Sequence, residues 1–115
     1  MADDLSFMRM VQKEVLTEQG YEIVGEASNG LEAVAKYQEL NPDVVIMDIT
    51  MPEMNGLEAT RKIFSLDPDA RIIICSALGQ QHLIVEAINA GIKDFIVKPF
   101  VPERLLTALA KAFHS

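Results

Sequence analysis

Cysteine is almost absent from this chain. Cys75 stands alone, which excludes an internal disulfide and any metal site built on several thiolates. The expectation is a reducing, cytoplasmic setting. No apolar run approaches the roughly 20 residues that span a bilayer, and the acidic, methionine-rich start lacks the basic opening and apolar stretch of a signal peptide. Basic residues are scarce as well, 10 Lys and Arg against 17 Asp and Glu, for a formal charge of −7. That balance argues against nucleic acid as a direct partner, because phosphate backbones are held by clustered cations, and it suits a divalent cation instead. Repeats, low-complexity stretches and linkers are missing too. The 115 residues, half of them hydrophobic, are therefore expected to form one domain, 1–115, with a core of its own.

What is present is a regular alternation. Met8, Val11 and Val15 recur at helical spacing, and Gly20 stops that first helix as a C-terminal cap. YEIVGEA, residues 21–27, follows as a strand, and Ser28 or Asn29 caps a second helix carrying Leu31, Val34, Tyr37 and Leu40. DVVIMD, residues 43–48, is short, β-branched and apolar on both faces, the pattern of a central strand covered on two sides. A third helix shows Leu57, Thr60, Ile63 and Phe64, and RIIIC, residues 71–75, is a second two-sided strand. A fourth helix with Ile84, Ala87 and Ile88 closes at Gly91, and DFIV, residues 94–97, is the last strand. Pro102 opens a final helix with Leu105, Leu106, Leu109 and Phe113 on one side. Strict alternation with short connections predicts an α/β fold, a flavodoxin-like doubly wound parallel sheet of four strands with helices on both faces.

In such a sheet the carboxyl ends of the strands share one rim. Asp48, Ser76 and Lys98 each fall at such an end and so converge, although they are far apart in sequence. Capping alone does not call for an acid, a hydroxyl and an amine at three successive strand ends. The set suits phosphoryl chemistry on a carboxylate: Asp48 as nucleophile, Lys98 as a point charge on a phosphoryl oxygen, the Ser76 hydroxyl as donor to another. Mg²⁺ is then required to bring an anionic group to carboxylates, and Asp3 and Asp4 are the remaining candidates to hold it.

The stretches DDLSFMR, VVIMDITMPEMNG, IICSALGQQ and KDFIVKPF, in this order, resemble the receiver domain of two-component signalling in its single-domain chemotaxis form, over residues 3–115. The resemblance implies a phosphoacceptor signalling domain rather than an enzyme. Asp48 would take the phosphoryl group from a histidine kinase. Asp4, Asp48 and the Thr50 carbonyl would hold Mg²⁺, with Asp3 acting through metal-bound water. Ser76 and Lys98 would contact the phosphoryl group, Phe95 would be the switch aromatic, and Lys98–Pro99 would be a cis peptide. The reader of the signal would be a flagellar motor switch protein, on a face including Ala87, Ala90 and Lys93 beside Phe95.

The family's central first strand, ahead of the acid pair, is missing from this sequence, as by a truncation or a wrongly assigned start. The sheet edge so left predicts association with a second copy, a homodimer, and a loosely held Asp3 and Asp4. The alternative is a receiver-like interaction module that is not phosphorylated. A phosphohydrolase is disfavoured because Thr50 stands where a second acid would serve as general acid. Met47, Met51 and Met54 read as packing, His82 and His114 as surface residues, and Cys75 as buried and inert. Gln80 and Gln81 either contact a partner or begin a helix.

Overall fold

Helix and strand alternate because the apolar spacing switches back and forth between about 3.6 and continuous two-sided runs. The computed structural model describes residues 2, 13–14, 16–22, 24–51, 54–77, 79–98 and 102–113. Among them are the helices α1 (Gly30–Leu40), α2 (Gly56–Leu66), α3 (Gln81–Ala90) and α4 (Pro102–Phe113) and the strands β1 (Val45–Asp48), β2 (Ile72–Ser76) and β3 (Asp94–Val97). Residues 13–14 and 16–18 are also helical and end at Gly20, whose φ of 85° is the left-handed value a helix stop favours. Met8, Val11 and Val15 lie outside the described residues.

Local signals set the boundaries. The Asn29 side chain accepts the Glu32 N–H at 2.8 Å and starts α1. Asn55 and Glu58 form a reciprocal capping box on α2. α3 closes at Gly91, with φ at 112°, and α4 begins on Pro102. No helix among the described residues is long and apolar enough to cross a membrane.

The strands run parallel in the order β1-β2-β3. Val45 pairs with Ile72 and Asp48 with Cys75; Ile73 pairs with Asp94 and Ser76 with Val97. Side chains alternate between two core halves, as a doubly wound sheet requires. Met47, Ile72 and Ile74 pack with α1, α2 and α3, while Ile46, Ile73, Cys75 and Ile96 pack with Leu16 and α4.

Two expectations change. Residues 21–27 were read as a strand, yet residues 21, 22 and 24–26 make no ladder, and only Ala27 pairs, in an isolated parallel bridge to Ala2. A strand persists only beside a neighbour, and among the described residues the neighbouring position holds Ala2. Ala2 itself fills that place, bridging Ala27 on one side and Met47 on the other. The sheet thus has three strands among the described residues, not four, within the same fold class. Second, Leu31, Leu40, Ile88 and Phe113 were expected on buried faces but are 38–52% exposed. The buried stripes run instead through small residues, Ala33 in α1, Ala87 in α3, Ala108 and Ala112 in α4, which let the helices lie close on the sheet. Ala87, fully buried, is correspondingly no part of a surface; Val85 and Ile88 are the exposed large hydrophobic residues of α3.

Candidate functional site

β1 delivers Asp48 to the rim with only 7% of its surface exposed. Its position is fixed on three sides. The ladder to β2 holds the backbone, its N–H donates to the Ala2 carbonyl at 2.8 Å, and Gly56 packs on its carbonyl so closely that a Cβ there would collide. The Thr50 N–H donates to Asp48 Oδ1 at 3.2 Å. Lys98, one residue past the end of β3, places Nζ 2.7 Å from Asp48 Oδ2, and both side chains are largely buried. A charge-assisted bond in such a place is short and strong, and either partner alone would be left uncompensated.

Ser76 ends β2 between them in the sheet order. Its carbonyl accepts the Lys98 N–H at 2.7 Å, so the two residues are tied at the backbone. Its hydroxyl is fully buried with no hydrogen-bond partner. An orphaned buried hydroxyl is uncommon and costs free energy unless a ligand or water completes it. Ser76 is tied to Lys98 at the backbone, and a hydroxyl donor at such a strand end is what a phosphoryl oxygen needs.

Asp48, Ser76 and Lys98 are therefore brought to one rim, as the strand-end reading expected. Thr50 lies beside Asp48, and Phe95, in β3, is half-buried against the core. Asp3, Asp4 and Pro99 lie outside the described residues. Within those, no group of three His, Cys, Asp or Glu side chains is clustered to hold a metal. Asp48 and the Thr50 carbonyl are hard oxygen donors of the kind Mg²⁺ selects, and the donor set fits that ion as far as it is described.

The comparison with known proteins agrees with this geometry. Residues 1–110 match the model of the response regulator receiver domain. The chain belongs to this family. The chemotaxis protein CheY of Thermotoga maritima is 60% identical to this receiver domain over 111 residues, 96% of this chain and 92% of that protein. CheY of Bacillus subtilis is 54% identical over 99% of this chain and 95% of its own length. Among solved structures, the CheX–CheY–BeF₃–Mg²⁺ complex of Borrelia burgdorferi superposes with a TM-score of 0.92 at 37% identity, over 97% of this chain and 85% of that one.

Two contacts in the receiver domain were not legible beforehand. Gln80, expected to begin a helix or meet a partner, is the N-cap of α3 and also clasps two loops: its Oε1 accepts the Ala77 N–H and its Nε2 donates to Thr50 Oγ1, both at 2.8 Å. Arg104 forks onto both oxygens of Asp94 at 3.1 Å and onto the Phe95 carbonyl at 2.6 Å, locking the start of β3 to α4. Thr50 is 30 residues from Gln80, and Asp94 and Phe95 are 10 and 9 residues from Arg104, so nothing in the local spacing announces those partners.

Proposed function

We propose that this receiver domain accepts a phosphoryl group on Asp48 from the phosphohistidine of a histidine kinase and relays the signal to a protein partner by a change of conformation. A carboxylate oxygen of Asp48 would bond to phosphorus as the N–P bond to the imidazole breaks. The observation that carries this reading is the buried Asp48–Lys98 pair at 2.7 Å beside the orphaned Ser76 hydroxyl. Lys98 and Ser76 would then hold the phosphoryl oxygens. Mg²⁺ would be held by Asp48 and the Thr50 carbonyl with Asp4, and with Asp3 through water, and it supplies the positive charge that an incoming anion requires. The Borrelia relative, solved with Mg²⁺ and the phosphoryl mimic BeF₃, supports the same chemistry.

Phe95 is the candidate switch aromatic, half-buried between the core and the surface. The output face would comprise α3, β3 and α4, where Val85 and Ile88 are 56% and 50% exposed. In a chemotaxis pathway its reader would be a flagellar motor switch protein. A second reading, an interaction module without phosphorylation, is favoured by the absence, among the described residues, of any cluster of three His, Cys, Asp or Glu side chains. Incubation with labelled acetyl phosphate separates the two. Label gained with Mg²⁺ and lost with EDTA supports the phosphoacceptor; absence of label under both conditions leaves the interaction module.

A further inference from the structure

Three helices start differently. Asn29 and Asn55 turn their side chains onto first-turn N–H groups of α1 and α2, whereas Gln80, at the same position before α3, makes no side-chain bond to its own helix. Its amide reaches back to the rim of the sheet instead. Gly79, with φ at 91°, makes the turn that allows this, in a backbone region that a Cβ would strain.

The peptide group between Ser76 and Ala77 is held at both ends. Its carbonyl accepts the Lys98 N–H at 2.7 Å, on the β3 side. In a trans peptide the N–H points the opposite way, so the Ala77 N–H faces β1, which Asp48 ends. Gln80 Oε1 occupies that N–H at 2.8 Å. The other end of the same amide donates to Thr50 Oγ1 at 2.8 Å, and the Thr50 N–H donates to Asp48 Oδ1 at 3.2 Å. A chain of hydrogen bonds thus runs from Ala77 through Gln80 and Thr50 to Asp48, from the end of β2 to the end of β1.

Resting on the phosphoacceptor reading above, we propose that Gln80 is an internal brake on phosphorylation of Asp48: its side-chain oxygen stands in for a phosphoryl oxygen at the Ala77 N–H and is displaced when that group arrives. A backbone N–H has one proton to give. Ala77 follows directly on Ser76, whose fully buried hydroxyl has no partner among the described residues, so the end of β2 offers two adjacent donors, one orphaned and one already taken. A group bonded to Asp48 brings oxygens toward the side that the Ala77 N–H faces. A hydrogen bond to a charged oxygen is roughly twice as strong as one to a neutral amide oxygen. The phosphoryl group therefore wins the donor once in place, and Gln80 opposes it until then.

The test is a titration of the full chain with the phosphoryl mimic beryllium fluoride in the presence of Mg²⁺, followed by amide NMR, in the wild type, Gln80→Met and Gln80→Glu. Gln80 is only partly buried, so both variants should fold. Gln80→Met keeps the length of the side chain and loses its hydrogen bonds, and half-saturation should come at about fivefold lower concentration, the worth of one neutral hydrogen bond. Gln80→Glu keeps the acceptor and charges it, and half-saturation should move by about fivefold or more in the other direction. Before any ligand is added, hydrogen exchange at Ala77 should be faster in Gln80→Met than in the wild type. A side chain that merely braced the two loops would weaken binding in Gln80→Met, and that result overturns the proposal. So does an unchanged half-saturation, or unchanged exchange at Ala77, in the same variant. A wild type that binds no beryllium fluoride at millimolar concentration overturns the phosphoacceptor reading as well, whereas binding by the wild type with the wrong order among the variants overturns the brake alone.

Discussion

The two sides of β1 differ in what supports them, although they flank the same four residues. Toward β2 the ladder runs from Val45 to Asp48, both strands are buried, and the helices above and below close over them. Toward residues 21–27 the pairing among the described residues is that of Ala2, and a cavity lies beside it. Yet the side chains of the site stand in order. Their placement comes from the supported side: the β1-β2-β3 register levels Asp48, Ser76 and Lys98, and Gly56 packs from α2. The comparison teaches that strand ends are aimed by one good neighbour, while stability depends on both.

Mutation breaks the comparison most sharply. Ile72→Ala, in fully buried β2, should cost about 2–5 kcal/mol by emptying a site that cannot collapse. Val24→Ala, at the open edge and 48% exposed, should stay within about 0.5 kcal/mol. Urea unfolding gives both values. Equal costs would mean that Val24 is packed as firmly as the sheet.

Sequence reading reached the supported side more fully than the open one, for reasons visible in particular residues. IIIC in β2 is apolar on both faces because helices cover both, so its pattern names its place directly. Residues 21–27 are strand-like in composition but not apolar on both faces, and strand formation depends on a partner that no local pattern supplies. The three strand ends were legible because parallel topology alone makes them converge. The Gln80 clasp and the Arg104 fork were not, since each depends on a rotamer reaching across loops. Exposed Leu31 and Ile88 misled the reading because large side chains outweigh alanine in a periodicity count, whereas close helix packing favours alanine.

Changes of pH probe each side with a smaller effect. On the supported side, burial alone would raise the Asp94 carboxyl, but the Arg104 hydrogen bond and the Phe95 N–H outweigh it and hold the pKa below its ordinary value. The stability this contributes is present above the unfolded carboxylate pKa and is lost as pH falls through the folded one. Arg104→Gln should flatten that acid limb. On the open side, burial and the 2.7 Å bond to Asp67 push Tyr37 up to about 12. Its contribution is complete below the unfolded value of about 10 and is lost as pH rises through about 12. Tyr37→Phe should remove that alkaline limb and cost about 1 kcal/mol at neutral pH. Thermal melts across pH check both limbs, and an acid limb unchanged in Arg104→Gln would contradict the ion-pair account.

The central claim is that Asp48 is the group that reacts. Intact mass spectrometry of the full chain after treatment with acetyl phosphate and Mg²⁺ tests it most directly, with Asp48→Asn measured alongside. A single phosphoryl addition that disappears in Asp48→Asn is the predicted result. An addition that persists undiminished in the variant would contradict the assignment.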